Sequence, residues 1–367
     1  MIDDASRALM DRPFWVAFHF VPYIGPSRIR RLRDHFGSLE RAWASDGARL
    51  RSVLDERSHS ALIEHRGKID VAGLMERLAA SGISVVTLAD DGYPALLREI
   101  GSPPPVLFYR GQLLETDSAA VAVVGTRRVT SYGREMAFQI GQGLARAGVT
   151  VVSGLAKGVD GIAHQGALAA GGRTIAVLGS GVNRIYPYEH TRLAGQIADQ
   201  GAVLSDYAPD RKPDAPNFPA RNRIISGLAL GVVVIEAPER SGALITVDFA
   251  ADQGRDVFAL PGPVLASGSA GTNRLIRDGA RLVRNAEDIL EDLQLRRGIA
   301  ADEPVQQPLL MNEDERRLVA VLTGDPQHID DIAERCTMAL PEVSALLVTL
   351  ELQGQVRNVG AQHYVRR

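Results

Sequence analysis

Residues 121–183 constrain the fold most, because three short apolar runs in this stretch each end at glycine or serine-glycine. The runs cover residues 121–124, 149–152 and 174–178, and a helical pattern follows each of the first two. Apolar runs without polar alternation indicate strands that are buried on both faces, as in a parallel sheet covered by helices. The stretch therefore predicts an α/β fold in which the strand-to-helix turns share one edge of the sheet.

The turns after these three runs carry residues that suggest a ligand. They contain Gly125, Arg127 and Arg128 after the first run, Ser153, Gly154 and Lys157 after the second, and Gly179-Ser180-Gly181 after the third. Glycine lets a ligand approach the backbone closely, and a helix start offers unpaired N–H groups and a positive dipole end. Because full positive charges are added there, the turns predict a phosphate-bearing ligand.

The first turn does not have the pattern of a dinucleotide-binding protein. It reads G-T-R-R-V-T, without the G-x-G-x-x-G that follows the first strand in such proteins. A guanidinium beside the first glycine would crowd a pyrophosphate on the helix start, whereas it suits an external phosphate chain. No G-x-x-x-x-G-K-[ST] motif is present either.

A second group of candidate binding residues follows a proline-bearing loop at residues 206–216. It consists of Phe218 and the run Arg221-Asn222-Arg223, which we place at a helix start. Guanidiniums at that end oppose the helix dipole unless an anion is present, and an aromatic ring beside them can stack on a base. The alternative is that these arginines pair with Asp206 or Glu236.

A third group of candidates, Ser241, Gly242 and Thr246, opens another predicted helix. Small residues and hydroxyls at a helix start suit phosphate oxygens. An N-cap with close helix packing explains Ser241 equally well. Lys212, in the proline-bearing loop, is added to the candidates on its charge alone.

Composition limits the possible classes of protein. The net charge of −3 means that basic residues must be gathered on one face if the chain binds nucleic acid. The single cysteine, Cys336, excludes an internal disulfide and a cysteine-based zinc site, and we predict no metal ion or cofactor. No signal peptide and no apolar stretch of about 20 residues are visible, so the expectation is a cytoplasmic protein without a membrane segment.

The pattern predicts three domains joined by one linker. Residues 1–80 look helical, and the turn before Ile29 resembles half of a helix-hairpin-helix in which Tyr23 replaces the usual first glycine. Residues 81–295 form the sheet core, residues 296–309 an acidic linker, and residues 310–367 three helices and a hairpin in winged-helix order. The presumed recognition helix has no lysine or arginine, which favours a protein contact over the major groove.

Several segments together resemble the DNA-processing protein A (DprA/Smf) family. They are VGTR at 124–127, SGLAKGVDGIAH at 153–164, YP at 186–187, FPARNRIISGL at 218–228, IEAPERSGALIT at 235–246 and LPG at 260–262. The resemblance implies a Rossmann-like core flanked by an N-terminal helical, SAM-like domain and a C-terminal winged helix. It further implies a homodimer without catalytic activity that binds single-stranded DNA, protects it and loads the RecA recombinase during natural transformation. By the same resemblance Arg127, Arg221 and Arg223 contact DNA.

An enzyme acting on nucleotides is the main alternative. The core resembles, more remotely, phosphoribohydrolases that carry a PGGxGTxxE segment with a catalytic glutamate. Here the segment reads ERSGALITVDF, which lacks the paired glycines and leaves Asp248 as the nearest carboxylate. Asp160 and His164 are four residues apart and could form an acid–base pair on one helix face. Alternatively, Asp160 caps its helix and His164 bonds locally.

Overall fold

The computed structural model describes residues 4–295, 313–323, 326–352, 355–360 and 362–366. The chain divides into two compact units, Met1–Gly298 and Ile299–Arg367. The linker predicted at residues 296–309 lies outside the described residues. No helix in the described ranges is long and apolar enough to cross a bilayer.

The first unit begins with a bundle of helices, as predicted. Its helices are α1 (Asp4–His19), α2 (Pro26–Phe36), α3 (Leu39–Ala44), α4 (Gly47–Arg51), α5 (Glu56–Arg66) and α6 (Val71–Ala80). The sequence explains where four of these helices begin. The N-cap side chain of each accepts a backbone N–H, and these residues are Ser38, Asp46, Asp55 and Asp70. The apolar cluster of the bundle extends to Val106 and Phe108. The bundle therefore packs against the sheet that follows.

That sheet has nine strands within residues 4–295. They are β1 (Ser84–Thr87), β2 (Val106–Gly111), β3 (Ala120–Val124), β4 (Thr150–Ser153), β5 (Thr174–Val177), β6 (Ala202–Ser205), β7 (Gly231–Val234), β8 (Asp256–Ala259) and β9 (Arg281–Leu282). Their order is β1-β2-β6-β5-β4-β3-β7-β8-β9. The seven strands from β6 to β9 are parallel, which confirms the predicted parallel core. Strand β2 is antiparallel to both of its neighbours.

Helices cover both faces of the sheet. They are α7 (Ala95–Arg98), α8 (Ser131–Arg146), α9 (Val159–Ala169), α10 (Thr191–Gln200), α11 (Asn217–Gly227), α12 (Gly242–Asp252), α13 (Ala270–Arg277) and α14 (Ala286–Asp292). Alternate residues of β3 enter opposite apolar layers. Ala122 packs in the layer that contains Ile225 of α11, and Val123 packs in the layer that contains Ile140 of α8. Burial on both faces explains why the strands are apolar throughout.

The strand order reverses at β3. The chain continues from β3 through β4, β5 and β6 on one side, and then returns to β7, β8 and β9 on the other. In open sheets of this kind, ligands bind in the crevice outside the carboxyl ends of the strands at such a reversal. The crevice is bounded here by the turns after β3 and β7.

The second unit has the architecture of a winged helix, as predicted. Its elements are α15 (Glu313–Val321), β10 (Gln327–His328), α16 (Ile329–Cys336), α17 (Leu340–Leu352), β11 (Val356–Gly360) and β12 (His363–Arg366). The strands pair in the order β10-β12-β11, and the helices bury Ile332, Val343 and Leu347 in a separate core. Helix α17 occupies the recognition position and contains no lysine or arginine.

Candidate nucleic-acid interface

A cavity of about 690 Å³ lies at the strand-order reversal, between the turn after β3 and the start of α12. Many of the predicted binding residues line it, although they come from distant parts of the chain. They are Gly125, Arg127, Phe218, Arg221, Asn222, Ser241, Gly242 and Thr246. A smaller cavity of about 40 Å³ adjoins it, shares Arg127, Phe218 and Arg221, and adds Gly154 and Lys157 to the lining. The fold thus gathers the turns that were singled out in the sequence.

Arg127 is the exposed cation at the opening of both cavities. Its guanidinium carbon lies 5.8 Å from the centroid of the Phe218 ring, within the range of a cation–π contact. Among the residues that the structure describes, no carboxylate pairs with Arg127. Its positive charge is therefore available to an anionic ligand.

Phe218 and Tyr186 form an aromatic wall beside Arg127. Their ring centroids are 5.3 Å apart with an interplanar angle of 40°, and both rings line the two cavities. The ring of Phe218 also explains the glycine turn after β5, because a Cβ atom at Gly179 would lie 2.9 Å from it. Aromatic rings beside a cation suit the stacking of nucleobases.

Gly125 lines the large cavity, yet packing within the protein already requires a glycine there. A Cβ atom at this position would lie 2.6 Å from Cγ2 of Val159 and 2.9 Å from the carbonyl oxygen of Glu236. The same tight turn lets Thr126 donate its N–H to that carbonyl at 2.7 Å. The prediction that this glycine serves the approach of a ligand is therefore not needed to explain it.

Arg221 does not lie at a helix start, so the interpretation of the run Arg221-Asn222-Arg223 is wrong in this respect. Helix α11 begins at Asn217, which places Arg221 in the second turn. Its side chain is buried with 4% exposure and donates to the carbonyl oxygens of Gly154, at 2.8 Å, and Val177. Burial lowers the pKa of Arg221 to about 10. This guanidinium ties together the ends of β4 and β5.

Arg223 lies outside both cavity linings. It donates to the carboxylate of Asp206 at 2.6 Å and to the carbonyl oxygen of Ser102 at 2.6 Å. This confirms the alternative that an arginine of this run pairs with Asp206. Glu236 instead accepts hydrogen bonds from the N–H and hydroxyl of Thr130 at 3.0 and 3.2 Å.

Three further candidates are not brought into the cavities. Ser153 is fully buried and donates its hydroxyl to the carbonyl oxygen of Val123 at 2.6 Å, so it cannot meet a ligand. Arg128 and Lys212 are exposed but do not belong to either lining. By contrast, Arg240 is not among the residues predicted from the sequence, although it is an exposed cation in the lining of the large cavity. The sequence feature that points to Arg240 is its place in the turn after β7, because Arg127 likewise lies in the turn after β3.

The start of α12 contributes polar groups to the cavity. Ser241 is its N-cap and accepts the N–H of Ala243 at 3.3 Å, which confirms the capping alternative for this residue. Asn222 donates to the carbonyl oxygen of Gly242 at 3.4 Å, and Thr246 is buried on the next turn. These residues shape the wall, and a ligand would compete with the cap for the Ser241 hydroxyl.

The carboxylates considered for catalysis are not arranged as an acid–base site. Asp160 accepts the N–H groups of Gly154 and Ala156 at 3.1 and 3.4 Å, in the loop before α9, and Gly158 holds the cap position. His164 is fully buried with Nδ1 2.6 Å from the hydroxyl of Thr174, and burial lowers its pKa to about 3. The prediction of an acid–base pair is therefore wrong, and the alternative that His164 bonds locally is confirmed. Asp248 is exposed outside the linings.

Fold and cavity together define the class of this protein. It is an α/β protein with a Rossmann-like core whose strand-order reversal holds a basic, aromatic-lined cavity, and it carries a separate winged helix. Residues 84–294 match the family model described as DNA recombination-mediator protein A, and residues 300–362 match the DprA winged helix domain. The chain therefore belongs to the DNA-processing protein A (DprA/Smf) family. That family consists of DNA-processing proteins and not of enzymes.

Individual relatives agree with this assignment. Protein Smf of Synechocystis is 35% identical over 97% of this chain and 99% of its own length. The DNA processing protein DprA of Streptococcus pneumoniae is 42% identical over 65% of this chain and 83% of its own length. The X-ray structure of the pneumococcal protein matches with a TM-score of 0.69 at 36% identity, covering 76% of this chain and 97% of that one.

A second solved structure is that of DNA processing protein A from Helicobacter pylori, described for its single-stranded DNA binding mode. It matches with a TM-score of 0.52 at 30% identity and covers 58% of this chain and 95% of its own.

Proposed function

We propose that this protein binds single-stranded DNA across the carboxyl edge of its sheet. Phosphates of the strand meet Arg127 and Arg240, and bases stack against Phe218 and Tyr186. The observation that carries the proposal is the exposed guanidinium of Arg127, held 5.8 Å from the Phe218 ring at the opening of the cavity. A neighbouring cation and aromatic ring are the groups with which proteins hold a single strand.

The relatives support this proposal. The Helicobacter pylori protein is described as a single-stranded DNA binder, and the matching family model is that of a recombination mediator. On the family resemblance we extend the proposal to a homodimer that protects incoming DNA and loads RecA during natural transformation. This extension predicts that RecA begins to hydrolyse ATP earlier on single-stranded DNA when this protein is present than when it is absent. An unchanged lag before ATP hydrolysis begins would contradict this extension.

The first unit is the part that we propose to hold the strand. Helix α17 of the winged helix lacks lysine and arginine, so it offers few partners to phosphates. A chain that ends at residue 299 should therefore keep its affinity for a single strand. Loss of binding on this deletion would instead assign the strand contact to the winged helix.

The deciding experiment is a titration of labelled single-stranded and double-stranded oligonucleotides at low and moderate salt. The single strand should bind more tightly, and its affinity should fall with salt because neutralised phosphates release counterions. No binding at low salt would refute the proposal. A screen for release of free base from nucleoside monophosphates, the activity of the remote enzyme alternative, would then follow.

A further inference from the structure

The small cavity beside Arg127 has a lining distinct from that of the large one. Its volume is about 40 Å³ against about 690 Å³, which is too small for a nucleoside. Three cations reach it, namely Arg127, Lys157 and Arg221, and the rings of Tyr186 and Phe218 border it. A small anion fits this combination of size and charge better than a base.

One of these cations already has an anionic partner from the protein. Lys157 forms a hydrogen-bonded ion pair with Glu189, which lies in the short 3-10 turn Tyr188–His190. Nδ1 of His190 lies 2.9 Å from the carbonyl oxygen of Leu155, so this turn is held against the loop that carries Lys157. The hydrogen bond from Lys157 lowers the pKa of Glu189, which keeps its carboxylate charged near neutral pH.

The two carboxylates near the cavity differ in how firmly they are held. Asp160 is buried and accepts two backbone N–H groups, so it is part of the folded core. The side chains of Lys157 and Glu189 are exposed by 58% and 54%, and an exposed pair of this kind contributes little to stability. The three cations and these two carboxylates together carry a formal charge of +1. This charge becomes +2 when the side chain of Glu189 turns away from Lys157.

We infer that the small cavity is a phosphate subsite and that Glu189 is an internal competitor, whose carboxylate occupies Lys157 until a phosphodiester of the strand displaces it. This inference rests on the proposed function. Its consequence is that the protein binds a strand less tightly, and with less dependence on salt, than its cations alone would allow. Displacement exchanges one ion pair for another at Lys157, so part of the gain from the phosphate contact is lost.

The test is Glu189→Gln in the full chain, measured by fluorescence anisotropy with a labelled 20-nucleotide oligothymidylate from about 50 to 200 mM salt. The variant should bind about 3- to 10-fold more tightly at low salt, since one more cation is free. The slope of log K against log salt should become more negative by about 0.7, the value for one further phosphate on a single strand.

Glu64→Gln is the matched control. Glu64 pairs with Lys68 at 2.9 Å, its side chain is 64% exposed, and it lies on α5 outside both cavities. The Glu64→Gln variant loses the same charge as Glu189→Gln, so its affinity for the oligothymidylate should equal that of the wild type. An equal gain in both variants would show a general charge effect and would overturn the subsite.

A double variant shows whether Glu189 acts through Lys157. In a Lys157→Gln background, Glu189→Gln should change the affinity by less than about 2-fold, because no ion pair remains to be released. A gain as large as in the wild-type background would overturn the inference. Wild-type binding that is unaffected by Glu189→Gln would also overturn it while leaving the proposed function intact. Failure of the wild type to bind any strand would instead refute the proposed function.

Discussion

Arg127 and Arg221 both reach the edge of the sheet where the strands end, and the fold uses them in opposite ways. Arg127 follows β3, is exposed, and has no carboxylate partner within the described residues. Arg221 lies in the second turn of α11, is buried, and donates to two carbonyl oxygens. One guanidinium is free for a ligand and the other holds two strand ends in place. Substitution of Arg127 should therefore weaken binding without loss of stability, whereas substitution of Arg221 should lower stability.

The largest effect is expected from Arg221→Ala. Two buried carbonyl oxygens would lose their donor, so the free energy of unfolding should fall by about 3 kcal/mol. Urea unfolding followed by tryptophan fluorescence measures this in the first unit, because both tryptophans, Trp15 and Trp43, lie there. Arg221→Lys, which keeps the charge but fewer donors, should lose less. An unchanged midpoint for the alanine variant would show that the buried bonds are dispensable.

Arg127→Ala should weaken binding and leave stability unchanged. Affinity for a single strand should fall about 30-fold at low salt, because a charge-assisted phosphate contact is lost, while the unfolding midpoint stays the same. Its neighbour Arg128 is exposed but outside both linings, so Arg128→Ala is the control and should cost less than about 3-fold. Equal losses would mean that diffuse charge, and not the cavity, attracts the strand.

Phe218→Leu sharpens the comparison by removing a ring without removing a charge. Affinity should fall about 10-fold, in the range of one base–aromatic stacking contact, and the salt slope should not change. Tyr186→Phe keeps both rings of the wall and should bind as the wild type does. A changed salt slope for Phe218→Leu would indicate that the ring acts by positioning Arg127.

The smallest effect is expected from Arg223→Met, which tests a second structural arginine. Binding should stay within about 2-fold, and stability should fall by about 1 kcal/mol at pH 8, because Asp206 loses its partner. Burial already raises the pKa of Asp206, so the folded state takes up a proton more readily than the unfolded state. The deficit should therefore shrink as the pH falls toward 5. A constant deficit across this range would contradict a role through the Asp206 charge.

The sequence predicts the strands of the core well because each is buried on both faces and therefore apolar along its length. It predicts the start of α11 poorly. The helix begins at Asn217, and the available signal was Pro219, since proline is tolerated in the first turn of a helix. The role of Arg221 depends on carbonyl groups 67 and 44 residues away in the chain, which no local pattern encodes.

Residues of the candidate site can be predicted where local sequence places them at the sheet edge. Arg127 is predictable because a turn after a buried strand lies at the sheet edge, whereas Phe218 is predictable as an aromatic ring beside the run Arg221-Asn222-Arg223. Arg240 was missed although it follows β7 in the same way. The ion pair of Lys157 with Glu189 was not foreseen, because it joins two turns that become neighbours only when β4 and β5 pair.

The shared core of the N-terminal helices and the sheet has a consequence for how the protein is made. The apolar cluster around Trp15 and Phe18 includes Val106 and Phe108 of β2 and also Val182, beyond β5. The helices leave the ribosome before the sheet, and the last apolar partner of their cluster is synthesised more than 160 residues after Trp15. We therefore expect a nascent chain stalled near residue 100 to expose apolar helix faces and to attract chaperones, which a chain stalled beyond α11 would do less.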